Sequence, residues 1–162
     1  MSQPTSTRAL MAPFATAIFA KAEALRTLDL KAAHRSRLSE SISDDIKKAS
    51  NFHPHRMSKR ARQKARGFAA PVDLTEMTWH QQESFDPGRE LFIVEHRATV
   101  SSLKQRCLNA ANVEGVLDIL EEEIDVVWIL REEDEELTRL KYRSKRPASA
   151  YEEAQIQIWD GE

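Results

Sequence analysis

The clearest strand pattern in the chain is the run Ile-Asp-Val-Val-Trp-Ile-Leu at residues 124–130. Both of its faces are apolar apart from Asp125, which is typical of a strand that is covered on both sides. Such a strand needs a partner, and the other short apolar run, Leu91 to Val94, lies in residues 90–95. A helical pattern separates the two runs, which favours a parallel arrangement of the pair.

The run at residues 90–95 leads into Glu95 and His96 and then into a predicted helix. Thr99 stands at the position of a helix N-cap, and apolar residues recur after it at helical spacing. A carboxylate and an imidazole are thus expected on a rigid strand end, next to the start of a helix, whose free N–H groups can hold an anion. This junction is our first candidate site.

The order of strand, Glu-His and helix over residues 89–112 resembles the metal site of HNH-type (His-Me finger) nucleases. The resemblance implies that His96 is a general base, that Glu95 orients it or binds metal, and that a divalent ion (Mg, Mn or Zn) is the cofactor. The chain departs from the family after His96, where no further histidine follows and Cys107 is the single cysteine. The alternative is that Glu95 and His96 bond to each other or to the helix start.

Charge is distributed unevenly along the 162 residues, although the net charge is only −2. Residues 56–66 contain six Lys or Arg and no acid, whereas residues 114–136 contain eleven acids and one Arg. A single cysteine excludes a disulfide framework and indicates a reducing compartment. No apolar run approaches the roughly 18 to 20 residues of a membrane-spanning helix, so we expect a cytoplasmic protein with no membrane contact.

The basic stretch predicts a short helix over Lys59–Arg66, with Ser58 as its N-cap and Gly67 at its end. Its apolar stripe is only two alanines wide, so its cations are available for phosphate contacts. The alternatives are an ordinary solvated helix, or one that pairs with the acidic segment. A second basic segment follows at residues 141–146. The predicted nucleic-acid-binding residues are Arg56, Lys59, Arg60, Arg62, Lys64, Arg66, Arg143, Lys145 and Arg146.

Other side chains suit a metal ion. In the acidic segment at residues 131–142, Glu133 and Asp134 are candidate ligands; the alternative is that they stabilise the first turn of a helix through its dipole. His53 and His55 form an HxH pair to which His80 or His96 could add a third nitrogen. The approach of His80 depends on an extended segment at residues 77–82 pairing with residues 90–95.

The N-terminal part predicts a pair of helices. Apolar spacing predicts one helix over residues 12–27, with Pro13 in its first turn. It predicts a second helix after Asp29, either continuous or broken near Ser43. His34 lies on the apolar stripe of the second helix, where a partly buried residue is expected. This pair could associate with a second copy or a protein partner.

The predicted organisation is a helical hairpin at residues 1–50, a basic turn and helix at 51–70, and a small α+β domain at 71–162, which together could form one compact unit. The fold class is α+β, mostly helical, with a small two- or three-stranded sheet covered by helices. Phosphate-binding, dinucleotide-binding and serine-hydrolase motifs are absent from the sequence. Two hypotheses remain: a small metal-dependent HNH-like endonuclease, or a non-catalytic nucleic-acid-binding or protein-binding regulator.

Overall fold

The computed structural model describes residues 6–143 and 146–161. It is α+β and mostly helical, as the sequence predicts. The helices and strands are, in chain order, α1 (Thr7–Thr27), α2 (Ala32–Ser50), β1 (His55–Met57), α3 (Lys59–Arg66), β2 (Phe92–His96), α4 (Val100–Asn109), α5 (Val113–Glu123), β3 (Val126–Leu130), α6 (Arg131–Arg139) and α7 (Ala150–Glu153). Among the described residues, no helix has the length and apolar character needed to cross a membrane.

The chain forms two compact units. The helical unit is the chain up to His53 together with Val100–Ile124, and the sheet unit is Pro54–Thr99 together with the chain from Asp125 onward. The helices α4 and α5, which follow the second strand in sequence, therefore belong to the same unit as the N-terminal pair and pack against α1 and α2.

The helical unit is built around the apolar stripe of α1, in which Met11, Ala15 and Ile18 are fully buried. Helix α1 begins five residues earlier than predicted, because the Ser6 hydroxyl accepts a hydrogen bond from the Ala9 N–H at 3.2 Å. Pro13 consequently lies inside the helix and not in its first turn. Each of these buried residues is one helical turn from the next, which is the spacing that produces a continuous buried face.

Helix α2 also differs from the prediction. It begins at Ala32 and continues without a break past Ser43. The prediction that His34 is partly buried was wrong, because every residue from Lys31 to Arg37 is exposed. The stripe that packs begins only further along the helix, where Ile42 and Ile46 are fully buried. The first two turns of α2 are therefore exposed to solvent.

The sheet has the order β1-β3-β2. The predicted partner of β3 is correct, but the predicted orientation was wrong, because β2 and β3 are antiparallel. The connection consists of two helices that return the chain to the point where it left, and there the Arg97 N–H donates to the Asp125 carbonyl at 2.9 Å. A connection in which one helix crosses the sheet makes the two strands parallel. Here two helices bring the chain back to the end of β2, so β3 runs in the opposite direction to β2.

Two further local predictions need correction. Residues 55–57 belong to the segment 51–70 that was predicted as a basic turn and a helix, but they form β1, which pairs parallel with β3. Residues 77–82 are not extended, because Trp79–Ser84 is a 3-10 helix that begins after Thr78. Strand pairing therefore does not bring His80 close to residues 90–95.

The two faces of the sheet carry separate apolar clusters, which confirms that β3 is covered on both sides. On one face Met57, Phe92 and Trp128 pack with the buried alanines of α3. On the other face Val127 and Ile129 pack with Leu137 of α6 and with Tyr151 of α7. Residues that are paired across strands share a face, so Glu95, the partner of Val127, points to the α6 and α7 side.

Candidate nucleic-acid interface

Helix α3 has the bounds and caps that the sequence predicts. It starts where β1 ends, because Ser58 donates its N–H to the Trp128 carbonyl at 2.9 Å and accepts the Ala61 N–H on its hydroxyl at 3.0 Å. Ala61 and Ala65 are fully buried against the sheet. Since the buried stripe is narrow, the charged side chains of α3 project to both sides of it.

One side of α3 is a continuous cationic surface, which we call the basic face and define as Lys59, Arg62 and Arg66. These residues are spaced three and four apart and line an open hollow of about 570 Å³ together with Gln63 and Trp159. The guanidinium carbon of Arg62 lies 4.2 Å from the centre of a Trp159 ring. Among residues 6–143 and 146–161, no acidic side chain contributes to the lining of this hollow.

A smaller hollow of about 280 Å³ adjoins the first and shares Arg62, Arg66 and Trp159 with it. Its remaining wall is formed by Met57, Pro71, Val72 and Asp73. This hollow therefore combines an apolar wall, two guanidinium groups and one carboxylate.

The opposite side of α3 lies beside acids, although Arg60 and Lys64 also line an open hollow of about 440 Å³ to which no described acidic side chain contributes. Arg60 forms an ion pair with Glu132 at 2.6 Å. Lys64 lines a hollow of about 170 Å³ together with Glu90, Glu132 and Glu135. The alternative that the basic helix pairs with the acidic segment thus describes Arg60, whereas within residues 6–143 and 146–161 no ion pair involves Lys59, Lys64 or Arg66.

The other predicted phosphate ligands have different surroundings. Arg56 forms an ion pair with Asp125, to which its Nε also donates at 3.0 Å. Arg143 is exposed, and Lys145 lies outside the described residues. The Arg146 side chain is only 6% exposed, so the structure does not bring it to a surface where phosphate could bind.

Arg146 instead belongs to a buried cluster with Glu95. It bonds to one carboxylate oxygen of Glu95 and also donates to the His96 carbonyl at 2.9 Å and the Tyr142 carbonyl at 3.1 Å. The Tyr151 hydroxyl donates to the other oxygen of Glu95 at 2.8 Å. Both carboxylate oxygens are therefore occupied by protein donors.

Burial dominates the electrostatics of this cluster. Loss of hydration raises the pKa of Glu95, and this effect exceeds the lowering of that pKa by Arg146 and Tyr151. Burial and the neighbouring Glu95 raise the pKa of Tyr151 well above its usual range, so its hydroxyl remains a donor. The sequence alone could not identify Arg146 and Tyr151 as partners, because they lie more than 50 residues from Glu95.

His96 is the last residue of β2 and is partly exposed. Of the other histidines, His55 uses Nδ1 in a contact of 2.8 Å with the Met77 carbonyl, and His53 uses Nε2 in one of 3.0 Å with the Glu121 carbonyl. The His80 ring packs edge-on against Trp79. In the described part of the chain, no group of three His, Cys, Asp or Glu side chains is placed to hold a metal ion.

The candidate acids of α6 have structural contacts. Glu133 is buried, and its Oε2 accepts the Ser58 hydroxyl at 2.7 Å and the Leu130 N–H at 2.8 Å. It therefore joins the start of α3 to the start of α6, as an acid in a first helical turn can. Asp134 is partly buried, and its charge contributes to the raised pKa of Glu95.

The sequence did not indicate that Trp159 belongs to the interface. It lies there because the C-terminal segment follows the edge of β1, where the Trp159 N–H donates to the Met57 carbonyl at 2.9 Å and the Lys59 N–H to the Gln157 carbonyl at 2.7 Å. The sequence showed that Ile156, Ile158 and Trp159 are apolar, but it did not predict that this segment pairs with the edge of β1. Comparison of the chain with protein-family models, curated proteins and solved structures gave no match.

Proposed function

We propose that this protein binds nucleic acid, and that the basic face of α3 holds the phosphate backbone. The observation that carries the proposal is the asymmetry of α3. Lys59, Arg62 and Arg66 line a hollow to which no acidic side chain of the described residues contributes, whereas Arg60 is paired with Glu132 and Lys64 lies beside Glu90, Glu132 and Glu135.

The physical basis is the release of counterions. Each phosphate that a Lys or Arg neutralises frees bound cations, so affinity falls steeply with salt. Cations already paired with protein carboxylates gain less from this exchange, because the existing ion pair must first be broken. Contacts of this kind position a backbone and carry no information about base sequence. We therefore expect binding that depends on salt and only weakly on sequence.

The endonuclease hypothesis is a second candidate, based on the Glu-His resemblance and on the partial exposure of His96. The bonds of Glu95 to Arg146 and Tyr151 weigh against it, since a metal ion would have to displace a buried partner. A cleavage assay with plasmid DNA and RNA in Mg²⁺, Mn²⁺ or Zn²⁺ tests it directly. Loss of cleavage in His96→Ala would support the hypothesis, and intact substrates with the wild-type protein would contradict it.

The binding proposal is tested with two charge-matched double variants. Lys59→Ala/Arg66→Ala removes one Lys and one Arg from the basic face, and Arg60→Ala/Lys64→Ala removes the same two residue types from the opposite side. Fluorescence anisotropy with a labelled duplex over a salt series gives the affinity and its salt slope. Each duplex phosphate contact contributes about 0.9 to that slope, so the first variant should reduce it by nearly 2.

The control variant should change the slope by less than about 1, because its cations face protein acids. Equal losses in the two variants would mean that only total charge matters and would contradict an interface at the basic face. The absence of any salt-dependent binding by the wild-type protein would contradict nucleic-acid binding itself.

A further inference from the structure

We propose that the bound nucleic acid is single-stranded, and that one unpaired base enters the smaller hollow between Trp159 and residues 71–73. The inference rests on the proposed function and names its substrate class. Its starting point is that the two adjoining hollows differ in chemistry, because the larger one is lined by cations whereas the smaller one has an apolar wall.

The apolar wall suits a base and not a phosphate. Met57, Pro71 and Val72 offer no hydrogen-bond donor from their side chains, so this wall gives an anion nothing in exchange for its hydration. Arg62 and Arg66 border both hollows and can hold the phosphates on either side of an inserted base. A cationic track beside an aromatic or apolar site is the arrangement with which proteins bind single strands.

Asp73 strengthens the distinction. Its Oδ1 caps the next turn by accepting from the Thr75 N–H at 3.0 Å and the Thr75 hydroxyl at 2.7 Å, and Asp73 is one of the residues that line the smaller hollow. A carboxylate there repels a phosphate but accepts hydrogen bonds from the amino group of a base such as cytosine. The smaller hollow thus selects the base over the backbone.

A duplex cannot use this site without being opened. Its bases are stacked and paired, so that only their edges are accessible in the grooves. A single strand can turn one base out of line at low cost, and stacking of a base on an aromatic side chain, here Trp159, raises affinity by about fivefold to a hundredfold. We therefore expect a single strand to bind at least about fivefold more tightly than the duplex of the same sequence.

The test uses three probes of about 12 nucleotides, a length within the range that small single-strand sites cover. They are a single strand, the duplex of the same sequence, and an abasic strand with the same phosphates and no bases. The variant Val72→Met narrows the smaller hollow without changing charge, and Pro71→Met does the same from an exposed position if the first variant is destabilised. Affinities are measured by anisotropy on the full chain.

The expected result is that the single strand loses at least about fivefold in affinity on removal of its bases or on Val72→Met, whereas the duplex affinity is unchanged. Equal affinity for single strand, duplex and abasic strand would overturn the inference while leaving the proposed function intact. If free nucleoside monophosphate competes as well as the single strand at equal nucleotide concentration, the ligand need not be a strand and the inference is overturned. If Lys59→Ala/Arg66→Ala leaves all three affinities unchanged, the proposed function and this inference both fail.

Discussion

The replacement of Arg146 by methionine is the sharpest test of the buried cluster around Glu95. The Arg146 side chain is 6% exposed and that of Glu95 is 12% exposed. The substitution therefore leaves a buried carboxylate whose remaining hydrogen-bond donor among the described residues is the Tyr151 hydroxyl. Breaking a buried ion pair from one side typically costs about 3–5 kcal/mol, far more than the loss of a surface pair. We expect Arg146→Met to lower the unfolding free energy of the sheet unit by that amount at neutral pH.

The cost should depend on pH in a defined direction. Burial already raises the pKa of Glu95, and loss of Arg146 removes the largest influence that lowers it. A glutamate with a raised pKa in the folded state favours folding at low pH, and this contribution is lost as pH rises through the raised pKa. Arg146→Met should therefore be least harmful near pH 4, where Glu95 is protonated and uncharged, and most harmful near pH 7.

Tryptophan fluorescence is the appropriate assay, because all three tryptophans, Trp79, Trp128 and Trp159, lie in the sheet unit. With a urea slope of about 2 kcal/mol per M, a loss of about 3 kcal/mol lowers the midpoint by about 1.5 M. The control is Glu95→Gln/Arg146→Met, which removes both charges and should be less destabilising than Arg146→Met. A loss below about 1 kcal/mol that is constant between pH 4 and pH 7 would refute the argument, because a solvated pair behaves in that way.

Three further substitutions or reactions probe other parts of the chain. Ser58→Ala should cost about 2–4 kcal/mol in urea unfolding, since it removes the cap of α3 and a donor to buried Glu133. Gly88→Ala should cost about 1 kcal/mol in the same assay, because Gly88 has a φ of +72°; an unchanged midpoint would contradict this. Cys107 is fully buried, and burial raises the pKa of its thiol to about 11. It should react with iodoacetamide at about pH 8 only after denaturant is added, and rapid reaction of the native protein would show that the helical unit opens.

The elements that were predicted correctly are those whose ends are determined by neighbouring residues. Helix α3 follows from the Ser58 hydroxyl and the Ala61 N–H three residues later. Helix α5, which lies in the helical pattern that the sequence places between the two strands, begins after Asn112, whose side chain accepts the Gly115 N–H at 2.8 Å. Both contacts lie within one helical turn, so the local sequence contains all the information they need. The cationic residues of α3 were identified for the same reason.

The strand pairings and the side-chain partners that were not predicted depend on distant parts of the chain. The segment at residues 55–57 has only three residues and becomes a strand because β3 offers a partner more than 60 residues later. The orientation of β2 depends on where α4 and α5 pack, and the partners of Glu95 depend on how the C-terminal segment returns to the sheet. No local pattern of residues encodes such contacts, since tertiary packing selects them.

The position of the two candidate sites on the sheet bears on whether they could act together. Glu95 points to the face that α6 and α7 cover, whereas α3 packs on the opposite face, so a phosphate held by Lys59 and Arg66 cannot also contact that carboxylate. By strand alternation His96 belongs to the face that α3 covers. However, β3 lies between β2, which contains His96, and β1, which leads into α3, so β1 and β2 are about 9.5 Å apart. A nucleic-acid strand held at the basic face would have to cross this distance to reach His96. We therefore expect His96→Ala to leave nucleic-acid binding unchanged, and a loss of affinity in this variant would mean that the bound strand extends across the sheet from α3 to β2.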